Sequence, residues 1–216
     1  TQVLTLFPYT TLFRSQFVEE LVRLPAPAPL QPPAGSPDVA PLPALAKGHV
    51  TFGSFNRPTK LGDATLALWS EVLLAVPDAK LLLGHLDDVG LRAEITARFA
   101  ALGISSERLQ FRGHLPMHDY LAAHADVDII LDSVPYTGGA TSRLALWMGV
   151  PLLTLYGPSL QQRQGLCLDA AIGLSDWAVP DAPSYVEKAR AAASDLPALA
   201  ALRAGMRERL AASPLM

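Results

Sequence analysis

From His49 onward, short apolar runs alternate with stretches in which apolar residues recur every three or four positions. The runs read as strands and the stretches as helices. His49–Phe55 (HVTFGSF) is β-rich and leads into a polar loop, NRPTKLG. Asp63 follows where it can cap a helix whose Leu66, Trp69, Leu73 and Val76 share one face. Lys80–Gly84 (KLLLG), Leu109–Gly113 (LQFRG), Val127–Asp132 (VDIILD) and Pro151–Gly157 (PLLTLYG) bring the expected strands to five. Helices are expected around Asp88–Leu102, over His118–His124, through LALWMG, over about Gln161–Ile172, and as Tyr185–Ala193 and Ala198–Ala212. Strands that are apolar throughout and alternate with helices belong in a parallel sheet covered on both faces. Right-handed crossovers then give an α/β fold, a Rossmann-like doubly wound parallel sheet. Its ligand site lies at the carboxyl ends of the strands, on the loops after Phe55, Gly84, Gly113, Asp132 and Gly157.

The chain before this rhythm is different. Gln16–Leu24 (QFVEELVRL) sets Phe17, Leu21 and Leu24 at helical spacing, and the prolines of Pro25–Pro43 then prevent a regular helix. This stretch reads as a linker crossing a surface. Thr5–Ser15 (TLFPYTTLFRS) resembles the conceptual translation of a sequencing-adapter oligonucleotide, so Thr1–Ser15 is expected to be foreign and kept out of fold reasoning. The expected division is therefore 1–15, a foreign leader; 16–46, a short helix and proline-rich linker; and 47–216, the α/β domain.

Composition narrows the possible settings. Half of the 216 residues are hydrophobic and mean hydropathy is +0.25, yet no apolar run approaches the ~20 residues of a membrane span. The apolar excess therefore belongs in a core or an interface. A net charge of -3 and a pI near 5.9 argue against a nucleic-acid surface. Cys167 is the single cysteine, which excludes an internal disulfide, suits a reducing cytoplasm, and reads most simply as a small buried helix residue. Nothing at the start has the order of a signal peptide.

Three segments carry candidate chemistry. Pro135–Ser142 (PYTGGATS) joins a buried strand to a helix, with Gly138 and Gly139 allowing close backbone approach and Thr137, Thr141 and Ser142 offering hydroxyls. The start of the helix that follows is either a phosphate site or an ordinary turn with a hydroxyl cap. Neither a dinucleotide nor an ATP glycine fingerprint is present. Asn56–Lys60 (NRPTK) ends the first strand; Lys60, helped by Arg57, would neutralise a departing diphosphate, while the simpler reading is a solvated basic loop. Gly113–Tyr120 (GHLPMHDY) carries His114 and His118 without carboxylate or cysteine at ligand spacing, so contact with a base or ribose, or plain exposure, outweighs a metal. Asp132 either organises the Pro135–Ser142 loop or merely caps it, capping being the simpler reading. Arg163 reaches phosphates or is a surface charge. Trp69, Trp147 and Trp177 are expected in the core.

Together these segments resemble the carboxyl-terminal catalytic lobe of the O-linked N-acetylglucosamine transferase family, including its bacterial SPINDLY-like members. Phe52–Lys60 (FGSFNRPTK), Val127–Ser142 (VDIILDSVPYTGGATS), Leu144–Gly157 (LALWMGVPLLTLYG) and Arg209–Leu215 (RLAASPL) carry the resemblance, in order, and Phe17–Pro25 also looks like the segment before that lobe. The resemblance implies the GT-B fold, two Rossmann-like lobes facing a cleft, often preceded by tetratricopeptide repeats. It implies an inverting transfer of N-acetylglucosamine from a UDP-sugar to a protein hydroxyl, with no metal or other cofactor. By this resemblance Lys60 is the catalytic candidate that meets the diphosphate, Thr141 lies in the loop clasping the phosphates, and Leu115 and its neighbours flank the uracil. Tyr120 stands where the family usually has a histidine. Acceptor contacts and the base are expected from an amino lobe and repeats outside this chain, so the chain alone is expected to transfer no sugar. Gly139 and Ala140 depart from a threonine-rich loop, and Leu144 replaces an acidic residue that contacts the ribose, a charge-assisted bond worth roughly 1.5–3 kcal/mol. A degenerate nucleotide-binding or interaction module, or a transferase using UDP-glucose or GDP-fucose, are the competing expectations.

Overall fold

In the computed structural model, which describes residues 29–216, the apolar runs become strands of one parallel sheet. They are β1 (Thr51–Ser54), β2 (Lys80–Leu83), β3 (Leu109–Phe111), β4 (Ile129–Leu131), β5 (Leu152–Leu155) and β6 (Ala178–Val179), in the order β3-β2-β1-β4-β5-β6. Phe52 pairs with Leu81 on one side and Ile129 on the other, and Ile130 with Leu152. Phe52, Leu81, Ile129 and Leu152 are fully buried because helices cover both faces. The helices are α1 (Ala44–Lys47), α2 (Asp63–Ala75), α3 (Val89–Ala101), α4 (Met117–Ala122), α5 (Ala140–Trp147), α6 (Gln164–Ala171), α7 (Ala182–Ser194) and α8 (Leu196–Ala211). Strand order reverses between β1 and β4, and at such a switch point the rule for open parallel sheets puts the ligand crevice at the strands' carboxyl ends. Among the described residues no helix is long and apolar enough to cross a membrane.

Several local expectations need correcting. The sheet has six strands because Ala178–Val179 pairs with β5, a strand too short to show any period in the sequence. Asp63 is the first residue of α2 and caps nothing; Gly62 holds the cap position and the Asp63 carboxylate meets Arg98 of α3 at 2.7 Å. The expected helix over Gln161–Ile172 is split into a 3-10 turn, Leu160–Gln162, and α6, because Ser159 and Gln162 close a capping box before α6 starts. Asp88 does cap α3, accepting from Leu91 N at 2.7 Å. Trp69 and Trp177 are buried as expected, and Trp147 is partly buried. Residues 1–28, with the adapter-like leader and the expected Gln16–Leu24 helix, lie outside the described residues.

The amino edge of the sheet is closed by buried charge. Prolines leave the chain before α1 with carbonyls to satisfy and few amides to satisfy them. Arginines of α8 supply the donors. Arg203, 1% exposed, donates to the carbonyls of Ala40 (2.7 Å), Val127 (2.7 Å) and His124 (3.0 Å). Arg207 reaches Pro37 O at 2.8 Å and lies on the Trp147 ring. Asp128, beside Arg203, accepts from Ala44 N (2.9 Å) and Thr51 N (2.8 Å), so it ties α1 to β1. Leu42 is buried in the core, which anchors the end of the proline-rich stretch to the domain. Cys167 is buried in α6.

One core carboxylate is unlike these. Asp169 of α6 is fully buried and neither oxygen has a hydrogen-bond partner among the described residues. Burial first, then the charges of Asp132 and Asp176, raise its pKa well above the carboxylate range, against a smaller pull from Lys188.

Two outcomes are expected in urea denaturation. Arg203→Met strands three buried carbonyls and should cost about 3–5 kcal/mol. Asp169 has a folded pKa above its unfolded one, so the native state binds the extra proton and stability falls as pH rises through the folded value. Asp169→Asn should flatten that decline and raise stability at pH 8 by about 1 kcal/mol or more.

Candidate functional site

The loop leaving β4 is shaped by one carboxylate. Asp132 is fully buried; its Oδ1 accepts from Gly138 N at 2.6 Å and Ser133 N at 3.0 Å, and its Oδ2 accepts from Thr154 Oγ1 of β5 at 3.1 Å. Burial pushes its pKa up to about 6, while the Gly138, Thr154 and Ser133 bonds and the Lys60 charge work in the other direction. Its ionised form would hold these donors by charge-assisted bonds. Two glycines make this packing possible. A Cβ on Gly138 would overlap Ser142 Oγ, and one on Gly165 of α6 would lie 2.9 Å from Asp132 Oδ2. The expectation that Asp132 merely caps the loop is corrected: it organises the loop, because the bend at Gly138 brings an amide back to the strand end.

That bend delivers the start of α5 to the crevice. Arg143 N donates to Gly139 O, the first bond of the helical ladder, so the amides of Ala140, Thr141 and Ser142 precede it at the positive end of the helix. Lys60 approaches from the loop after β1, its Nζ donating to Thr137 O at 2.7 Å and lying 4.4 Å from the centre of the Tyr136 ring. Burial lowers its pKa, Asp132 opposes this, and Arg57 reinforces it. Asn56, buried between these loops, donates to Ser133 Oγ at 3.1 Å and accepts from Thr141 Oγ1 at 3.1 Å. The site thus combines one ammonium, a helix amino terminus and small hydroxyl residues, a set suited to anionic oxygens.

The expected residues divide into two groups. Asn56, Lys60, Thr137, Gly138, Thr141 and Ser142 are brought together, with Gly139 and Ala140 opening α5 beside them. Thr137 is buried and gives both its amide (3.2 Å) and its hydroxyl (2.7 Å) to Gln161 O, so its hydroxyl serves the loop after β5. Arg163 on that loop donates to Gly157 O at 2.7 Å. Arg57 is exposed. Leu115 is half-buried beyond β3, and Tyr120 is buried in a ring cluster with Phe55, His124 and His85. His118 is exposed beside Asp119, and the described residues contain no group of three or more potential metal ligands. Leu144 packs partly buried against the core.

Sequence reasoning missed His85, Tyr136 and Gln161. His85 follows β2 with φ +57°, unusual for a side-chain-bearing residue, and its ring stacks on Tyr120 with centres 5.5 Å apart. Burial chiefly, with His114 5.7 Å away, lowers its pKa. Only the position of His85 at a strand's carboxyl end marks it in the sequence.

Comparison with known proteins bears on the family and the fold. The model of Glycosyl transferase family 41 matches residues 42–216. The tomato (Solanum lycopersicum) protein named "Probable UDP-N-acetylglucosamine--peptide N-acetylglucosaminyltransferase SPINDLY" is 36% identical, over 94% of this chain and 22% of that protein. The Arabidopsis thaliana protein of the same name is 35% identical over 92% of this chain. The chain thus spans about a fifth of the length of the curated relatives it matches (22%). A mutant Thermobaculum terrenum O-GlcNAc transferase superposes with a TM-score of 0.78 at 36% identity, over 83% of this chain and 34% of that one. Sucrose-phosphate synthase of Thermosynechococcus elongatus, at 16% identity and a TM-score of 0.63 over 95% of this chain and 52% of its own, shares the fold. The sheet order and these likenesses agree with the carboxyl-terminal GT-B lobe expected from the sequence. Because the family model covers most of its length, the chain belongs to glycosyltransferase family 41.

Proposed function

We propose that the crevice between β1 and β4 holds the diphosphate of a UDP-sugar, and that this chain is the donor-binding lobe of an inverting protein O-glycosyltransferase. The observation that carries the reading is the Lys60 ammonium at 2.7 Å from Thr137 O, in the loop that leads into α5 three residues later. As the glycosidic bond breaks, negative charge gathers on the departing UDP. A fixed cation and a preorganised helix terminus stabilise that charge without reorganising. Lys60 and α5 supply both. Thr141 and Asn56 hold the loop in register, and Leu115 with the rings beyond β3 would flank the base.

The relatives' names speak of N-acetylglucosamine and a peptide acceptor, which makes transfer of N-acetylglucosamine to a serine or threonine hydroxyl the leading assignment. The acceptor, the base that deprotonates it and any tetratricopeptide repeats would belong to parts of the enzyme outside this chain, with an amino lobe across the cleft. A single buried cysteine suits work in the cytoplasm. Leu144 favours a second reading, a nucleotide-binding module without catalysis, since an apolar side chain packed on the core offers the ribose no hydrogen bond.

Calorimetric titration of UDP into the chain, with GDP as competitor, checks the proposal. Saturable UDP binding, absent for GDP, is expected, and Lys60→Ala should weaken it roughly 10–100-fold. Preference for GDP would move the donor class to GDP-fucose. No binding by the folded chain would favour the non-catalytic module. The isolated chain should release no free or transferred sugar from UDP-N-acetylglucosamine in a radiolabel assay; turnover above the buffer rate would contradict the division of labour between lobes.

A further inference from the structure

Tyr136 stands out among the aromatic residues. The residue is 51% exposed on the loop after β4, while Phe52, Phe55, Phe99, Trp69 and Tyr185 are buried. An exposed ring stabilises the core little. Its backbone is fixed from several sides: Ser133 Oγ donates to Tyr136 O at 2.7 Å, and both donors of Thr137 go to Gln161 O. The ring thus projects from an anchored stretch of loop. What it meets is the Lys60 ammonium, 4.4 Å from its centre.

Lys60 is constrained at its other end as well. Its carbonyl accepts from Thr65 Oγ1 at 3.1 Å, and the same hydroxyl contacts Val134 O at 2.8 Å and accepts from Val134 N at 3.1 Å. Thr65 therefore fastens the base of Lys60 to the start of the Tyr136 loop. The four-carbon stem between would still allow many rotamers. Thr137 O takes one of the three ammonium protons. A carboxylate as second partner would neutralise the charge that an anionic ligand needs. A ring face attracts the cation through its quadrupole and leaves it charged.

We infer that Tyr136 is a positioning residue for Lys60: its ring holds the ammonium at Thr137 O, in the loop that leads into α5, preorganised for the anionic oxygens of a bound diphosphate. The inference rests on the proposed role of Lys60 and adds to it the side chain that sets the aim and charge of that lysine. The aromatic face is what matters, and the hydroxyl is dispensable.

The test compares the unsubstituted chain with Tyr136→Phe, Tyr136→Leu and Lys60→Ala. In the ligand-free protein, the Lys60 side-chain amine is titrated by nitrogen-15 NMR. Tyr136→Leu should lower its midpoint, because loss of the ring removes an interaction that favours the ammonium, and Tyr136→Phe should restore it. In UDP titrations Tyr136→Leu should weaken binding about three- to tenfold, with the alkaline loss of affinity moved to lower pH, and Tyr136→Phe should bind like the unsubstituted chain. An unchanged Lys60 midpoint in Tyr136→Leu overturns the inference, as does equal loss in the Leu and Phe variants. If Lys60→Ala binds UDP undiminished, or the unsubstituted chain binds none, the diphosphate site itself falls; the Lys60 midpoint still decides whether the ring sets that charge.

Discussion

The carboxylate of Asp132 is buried where β4 ends, and the candidate site is assembled around it. Its oxygens take amide protons from Ser133 and Gly138 and the hydroxyl of Thr154, while its backbone carbonyl accepts from Trp69 Nε1 at 3.2 Å. Tyr185 of α7 shares its hydroxyl proton between that carbonyl and Leu153 O. One residue therefore joins two strands, a helix on each of two chain segments, and the loop that delivers α5. Burying such a charge is costly unless several donors meet it, and the tight approaches at Gly138 and Gly165 bring them close.

The two ends of the sheet use buried charge for different purposes. At the amino end, Asp128 and Arg203 are enclosed by main-chain partners and tie the proline-rich segment to α1, β1 and α8. Those bonds are internal and serve stability. At the carboxyl end, Asp132 spends its acceptors on a loop, and the positive groups above it, Lys60 and the α5 terminus, remain at the crevice. Asp169 lies between these regimes, a carboxylate without a hydrogen-bond partner among the described residues.

How far the sequence discloses this follows from what each feature depends on. KLLLG and VDIILD reveal strands because burial on both faces forces continuous apolar runs, and the alternation with helices then dictates a parallel sheet. Lys60 and the PYTGGATS loop are visible because both lie at strand ends, where the fold places ligands. Asp132 is visible as a position, but its role depends on Thr154 and Gly165, which lie far along the chain. Tyr136 and His85 escape detection for the same reason: their ring partners, Lys60 and Tyr120, are neighbours only once the sheet has formed. The two-residue strand β6 and the break before α6 are set by packing and capping, which leave no period to read.

The measurement that tests this account most directly is amide hydrogen exchange, residue by residue, on the unsubstituted chain and on Asp132→Ala, with near-ultraviolet circular dichroism to establish that both are folded. If Asp132 organises the site, exchange should quicken at least about tenfold across residues 133–142 while β1 and β2 keep their protection. Unchanged exchange in the loop, or an equal increase throughout the sheet, would contradict it.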